Sequence, residues 1–484
     1  MIGHNNANQL NFKTDSGASG DVLHASVFHL AWPIFFQTSL SLLLGYIDTL
    51  MLSGYDQTAV GAIGNANQII SFLMLAFMVI SSASGVIVAQ YLGAGKKDSI
   101  NQIYTVCLAF NLALSLLISL IILFGCDPLL RLLRTPDEMR TYARGYMRIV
   151  GGFIFTQALI DTICRIFQSN GKTVFGMYIS LGMNVINMCG NYLFLYGPLK
   201  VLGLGASGVA VSTVFSRVVG LCAAFVLFTV CIDGRISLKY LRPFPKDILK
   251  TLLRLGIPTT GENVSYNISM LFVTGFVNTM GIVAINTRIY ANLLSNFAYM
   301  YSLSVAMATA IIVGHAVGAG NNDFAYHRVR KTMRSAIIIS ACVALVNFLI
   351  SPFTFALFTA GSDVAGISGQ IIALGRKVML VAFFLELGRT SNLVIINSLK
   401  ASGDVKFPTY LGIASMWGCS VIGGYLLGIV CGFGLIGIWI ALAADEIIRG
   451  IVVAIRWERG TWRGKGVVRQ SSAALPEPVP LPDE

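Results

Sequence analysis

A run of about 20 apolar residues is long enough to cross a bilayer as a helix. In lipid the helix is favoured because every backbone polar group must find its partner within the segment. This chain contains twelve such runs, at 26–52, 61–91, 101–126, 142–169, 173–196, 205–231, 249–279, 283–317, 329–358, 371–399, 406–430 and 433–457. Of its 484 residues, 55% are hydrophobic and only 12% are charged. That is about half the charge a soluble domain carries on its surface. The expected fold is an all-α integral membrane protein of twelve transmembrane helices. Disordered, collagenous, coiled-coil and disulfide-stapled classes are excluded. The nine cysteines form no CxxC pair and sit in apolar runs, as small core residues do. No small-residue cleavage site follows the first run, so it is expected to be a retained span. Residues 1–24 form a polar N-terminal segment, and 458–484 a disordered cytoplasmic tail.

The chain repeats itself. A shift of 225 residues lays Pro33 on Pro258, Asn67 on Asn292, and Gly93-Ala94-Gly95 on Gly318-Ala319-Gly320. Later the shift becomes 232, with Gly171 on Gly403 and Tyr178 on Tyr410. Apolar similarity alone does not align proline, asparagine and Gly-Ala-Gly together. Six spans is an even number, so both halves enter the membrane from the same side. The expected architecture is an N-lobe (25–231, spans 1–6), an inter-lobe linker (232–248) and a C-lobe (249–457, spans 7–12). A pseudo-two-fold along the membrane normal would relate the lobes, with a substrate site between them, as in transporters.

The formal charge is +12, from 34 Lys and Arg against 22 Asp and Glu. No basic patch with interleaved aromatics accompanies it, so no nucleic-acid partner is expected. The excess gathers on one set of loops: Lys96, Lys97, Lys172, Arg235, Lys239, Arg242, Lys246, Arg328, Arg330, Lys331, Arg334, Lys400, Lys406 and the tail arginines Arg459, Arg463 and Arg469. The opposite set holds Arg131, Arg134, Arg140 and Lys200. The positive-inside bias therefore puts both termini in the cytoplasm of a multi-pass plasma-membrane protein.

Charges inside spans are costly and mark function or pairing. They are Asp48, Asp161, Arg165, Arg217, Glu262, Arg288, Glu386, Arg389, Asp445, Glu446 and Arg449. Asp48 follows Pro33, where a lost backbone hydrogen bond invites a bend. It is either a cation or proton site or an interface carboxylate. Asn187 and Asn191 share one helix face as i and i+4. They are either interhelical glue or part of an oxygen cage for Na⁺. Glu262, four residues after Pro258, is expected to pair with Arg288 or Arg389, or else to take a proton or cation. Glu386 with Arg389 and Asp161 with Arg165 have intrahelical pairing distances. Asp445, Glu446 and Arg449 read as packing or gating elements. No Gly-rich phosphate loop, HExxH or Ser/His/Asp set is present, and no enzyme is expected.

Two six-span repeats, Pro33 followed by Ile47-Asp48-Thr49, the Gly-Ala-Gly junction in each half, and Asn187-x3-Asn191 before Phe194 resemble the MATE (multidrug and toxic compound extrusion) transporters over residues 25–457. Members export organic cations in exchange for Na⁺ or H⁺. The resemblance implies that Asp48 is the principal cation or proton acceptor of the N-lobe. It makes Pro33 the bend of span 1, and puts Asn187, Asn191 and Thr213 beside the aspartate. A Na⁺ at Asp48, Asn187 and Asn191 is the metal it implies. The C-lobe departs from the family pattern: Tyr266 stands where one branch has glutamate. A charged network of Glu262, Arg288, Glu386 and Arg389 is expected there instead.

The function expected is a secondary antiporter. It exports amphiphilic, cationic organic compounds by alternating access, with H⁺ or Na⁺ as coupling ion, no cofactor, and a monomer as the working unit. A lipid-linked saccharide flippase of the same superfamily is the alternative, since Arg217, Arg288 and Arg389 suit a diphosphate head group.

Overall fold

The computed structural model describes residues 22–55, 57–132, 135–359 and 367–468. The segment 1–21, Arg134, the Gly361-Ser362 turn and the Pro-rich stretch 469–484 lie outside the described residues. Twelve helical spans follow one another: α1 (Val27–Ser53), α2 (Thr58–Gly93), α3 (Lys97–Leu132), α4 (Asp137–Gly151 and Ile154–Ser169), α5 (Thr173–Leu195), α6 (Gly205–Ile232), α7 (Lys246–Asn278), α8 (Ile282–Gly318), α9 (Asn322–Thr359), α10 (Ile367–Ala401), α11 (Lys406–Val430) and α12 (Gly434–Glu458). No strand occurs among the described residues. The two parts of α4 meet at 45°, at a π-helical turn over Met147–Gly151. Pro33 and Pro258 lie inside α1 and α7, and both helices run on through them.

Seven of these helices are apolar enough to cross a membrane by length and composition alone, or eight with the bent α4. The four that fall short, α5, α7, α10 and α12, do so for a physical reason. Asn184, Asn187 and Asn191 dilute α5, while α7, α10 and α12 carry the charges that gather in the interior described below. The charges deep within these spans, Glu262, Glu386, Arg389, Asp445, Glu446 and Arg449, are paired in the interior.

Both repeats turn their corners alike. Gly95 and its mate Gly320 have φ of +68° and +82°, and Gly171 and its mate Gly403 have +72° and +93°. This region strains any residue with a Cβ. These turns lie at one end of the bundle, here called the basic end because it carries most of the Lys and Arg.

The lobes interlock at that end. Leu30, Ala31 and Ile34, in the first turns of α1, are buried with Val22 and Leu23 in a cluster otherwise built from α8, α9, α10, α12 and Trp462 of the tail. Leu252 and Leu255, in the first turns of α7, are buried in a cluster otherwise built largely from N-lobe residues. Leu30 and Leu255 are mates under the 225-residue shift. Each lobe therefore lends the start of its first span to the core of the other.

Around these turns α2 crosses α8. A Cβ on Gly314 would sit 2.7 Å from the Cβ of Ala89, its own repeat mate, which puts the pseudo-axis between them. A Cβ on Gly93 would fall 2.1 Å from the His315 carbonyl oxygen, and one on Gly318 would fall 2.0 Å from that of Gln90. Glycine is what lets the two backbones meet.

The described part of the tail expected to be disordered from residue 458 is folded. Residues 459–468 fold back onto the basic end. Trp462 is fully buried there and stacks on Trp457 with centroids 4.2 Å apart. Asp404 receives Arg456 at 2.7 Å and Lys465 at 2.9 Å.

Candidate functional site

The seam at the basic end is tied by two hydrogen bonds that are copies of each other. Gln90 Nε2 donates to the Ala401 carbonyl at 2.6 Å. His315 Nε2 donates to the Ser169 carbonyl at 2.7 Å. Gln90 and His315 are repeat mates by the shift of 225, and Ser169 and Ala401 by 232. The Gln90 amide oxygen also accepts from the Val467 backbone N–H at 2.6 Å, which brings the tail into the seam. Among the described residues, the hydrogen bonds that join the lobes lie between the middle of the bundle and this end.

In the N-lobe, the four residues expected at the ion site meet. Asn191 Nδ2 donates to Asp48 Oδ1 at 2.5 Å and to Asn187 Oδ1 at 3.1 Å. Asn187 Nδ2 reaches Thr213 Oγ1 at 3.2 Å. The approach of α5 to α6 depends on Gly190, where a Cβ would strike Ser212 Oγ at 2.2 Å. Ser212 in turn donates to the Asn187 carbonyl at 2.8 Å. Asn187 and Asn191 are fully buried, Asp48 is half-buried, and Asn191 Oδ1 has no partner. No cation lies within 4.0 Å of Asp48 among the described residues. Arg217 is the basic group near enough to act on it through space. A carboxylate beside a free, buried amide oxygen offers oxygens to a hard cation, or a place for a proton.

The C-lobe charges pair differently from expectation. Glu262 meets neither Arg288 nor Arg389. Its Oε2 is held by Lys400 at 2.8 Å. Arg288 lies six residues into α8 and Glu262 sixteen residues from the end of α7. At 1.5 Å of rise per residue this sets them roughly 15 Å apart along the bundle. Lys400, placed in a loop from sequence, is instead the last turn of α10, with its amine turned into the interior. Glu386 and Arg389 do pair, at 2.7 Å. Arg389 also reaches Glu446 at 3.7 Å, and Arg449 holds Glu446 at 3.1 Å and Asp445 at 2.9 Å. Asn392 Nδ2 donates to Glu446 at 2.7 Å, and Ser415 and Ser420 donate to Asp445. So Asp445, Glu446 and Arg449, read from sequence as packing or gating elements, complete the network. Their i, i+3 and i+4 spacing opposite the Glu386/Arg389 face of α10 is the signal that could have placed them there. The Asp161–Arg165 pair does not form within 4.0 Å. Gln157 donates to Asp161 at 2.9 Å, and Arg165 donates to Gln168 at 3.2 Å and to the Met307 sulfur at 3.6 Å.

A cavity of about 660 Å³ runs between the lobes, mostly against the C-lobe, with Arg165, Tyr266, Arg288, Arg389 and Glu446 among its lining. Two repeated lobes with a cavity between them, joined at one end by a symmetric seam, are the architecture of a membrane transporter.

Comparison with known proteins gives the family. The family model described as MatE matches residues 33–193 and 258–426. A relative from Bacillus subtilis named "Uncharacterized transporter YisQ" is 38% identical over 442 residues, covering 91% of this chain and 96% of that protein. A Thermotoga maritima protein named "Probable multidrug resistance protein NorM" is 23% identical over 92% of this chain and 94% of its own length. A solved MATE structure in the bent conformation shares the fold, with a TM-score of 0.83, 21% identity, and 93% and 98% of the two chains covered. The chain belongs to the MatE family and is a multi-pass membrane transporter.

Proposed function

We propose that this chain is a secondary antiporter that moves amphiphilic organic compounds, amine-bearing ones included, out of the cell in exchange for H⁺ or Na⁺ bound in the N-lobe. The observation that carries the reading is the Asp48–Asn191–Asn187–Thr213 chain of hydrogen bonds, with the Asn191 Oδ1 left free. The basic end faces the cytoplasm of the plasma membrane, by the positive-inside bias. The seam then closes the cytoplasmic side, and an ion arrives at Asp48 from outside. The ion drives transport only if it binds one lobe arrangement better than the other. One charge descending 100 mV supplies about 2.3 kcal/mol. The relatives named as multidrug resistance proteins support a broad cargo, and the working unit is the monomer.

The flippase reading asks for three cavity arginines. Arg389 is engaged by Glu386 and Glu446, and Arg217 is not part of the cavity wall. Only Arg288 favours it. The test is efflux of a fluorescent amine from proteoliposomes, with Na⁺ and pH gradients imposed separately. Asp48→Asn is expected to fold and to lose gradient-driven efflux. Undiminished efflux by that variant under both gradients would refute the assignment.

A further inference from the structure

The cavity is asymmetric in how its charges are satisfied. Its three carboxylates all have cations at 3.1 Å or less: Glu262 from Lys400, and Asp445 and Glu446 from Arg449. Two of its guanidiniums have none. Among the described residues Arg165 hydrogen-bonds a neutral amide and a thioether, with Asp161 one turn away acting on it only through space. Arg288 is half-buried, and no carboxylate lies within 4.0 Å of it among the described residues. The titratable group that acts on it most is the phenol of Tyr266. An uncompensated guanidinium at membrane depth is costly unless something offsets it. A purely apolar cation would satisfy none of these groups.

We propose that this cavity binds the anionic group of an amphiphile, a carboxylate or a phosphate, with the Arg288 guanidinium as its principal ligand. The planar fork of the guanidinium matches both oxyanions. Arg165, about nineteen residues further along toward the basic end, lends positive potential from the base of the cavity. The inference rests on the reading of the chain as an exporter and names a feature of its cargo.

The test uses the full chain in nanodiscs of uncharged lipid, with 1-pyrenebutyrate as probe and 1-pyrenebutanol as its neutral counterpart. The acid is expected to bind about tenfold more tightly than the alcohol. Arg288→Gln should erase that preference and leave alcohol binding unchanged. Arg288→Lys should keep part of it, and the exposed Arg254→Gln all of it. Adding phosphatidic acid to the nanodisc separates the sources: displacement of the probe identifies a lipid head group, and indifference identifies a free organic acid. Equal affinity for acid and alcohol in the unaltered protein would overturn the proposal. So would an Arg288→Gln variant of unchanged melting temperature that still prefers the acid. Asp48→Asn separates the two readings. Retained acid binding with efflux lost supports both, and Arg288-dependent binding with efflux intact in Asp48→Asn keeps the site and rejects the N-lobe coupling.

Discussion

Gly93→Ala tests whether the crossing of α2 over α8 closes the basic end. The new Cβ would lie 2.1 Å from the His315 carbonyl oxygen. Ordinary contact begins near 3.4 Å, so the helices must part by about 1.3 Å at the crossing. The same displacement stretches the two seam hydrogen bonds, now 2.6 and 2.7 Å, to about 4 Å, where neither survives. Two buried hydrogen bonds at about 1 kcal/mol each and overpacking at about 1–3 kcal/mol disfavour the closed arrangement by about 3–5 kcal/mol. That shifts the closed-to-open ratio by about a hundredfold or more. With the lobes parted the clash is relieved, so Gly93→Ala is expected to fold. Spin labels at Lys96→Cys and Asp323→Cys on a cysteine-free background report the separation across the seam by double electron–electron resonance. Gly93→Ala is expected to move the distance distribution to longer values. Gly275→Ala, whose Cβ would meet nothing within 4 Å, is expected to leave it in place. An unshifted distribution in Gly93→Ala would refute the assignment of this crossing as the closing contact.

Two further outcomes follow from the C-lobe and the tail. Glu386→Gln removes the carboxylate 2.7 Å from Arg389 and leaves only Glu446 at 3.7 Å, so it should lower stability by about 2–4 kcal/mol while ion coupling persists. Melting temperature in detergent beside transport rate checks this, and a stable but inactive variant contradicts it. Trp462→Ala empties a fully buried indole site, at a cost of about 3–5 kcal/mol borne by residues 459–468. Trypsin should then cut at Arg459 and Arg463 in native membranes without loss of the bundle, and continued protection contradicts the packing described.

Much of this architecture was legible because it obeys periodic rules. Eight spans, counting the bent α4, follow plainly from hydropathy and length, the four more polar ones from their place in the repeat, and the two lobes from the 225- and 232-residue shifts. The grouping of Asp48 with Asn187, Asn191 and Thr213 came through the family resemblance, and a chain of hydrogen bonds joins the four. Pairing between helices obeys no such rule. Glu262 finds Lys400 because α7 and α10 run in opposite directions at a particular offset, which no spacing within α7 encodes. Spacing within one helix also misleads. Asp161 and Arg165 stand at i, i+4, yet the long arginine side chain reaches Gln168 and Met307 instead. The buried Trp462 sits in a short, charged and glycine-punctuated segment, and only its tertiary neighbour Trp457 explains its burial.

The exchange of first turns between lobes also bears on how the chain is made. Translation delivers α1 with Leu30, Ala31 and Ile34 shaped for a pocket whose walls include Val453, Trp457 and Trp462. Those residues lie more than four hundred positions downstream. The N-terminal half therefore leaves the ribosome with its leading helix still short of a neighbour. It completes its own packing only when the last span has been inserted. The two repeats resemble a duplicated unit, but neither is a self-sufficient folding product: final assembly of the first half waits on the end of the second.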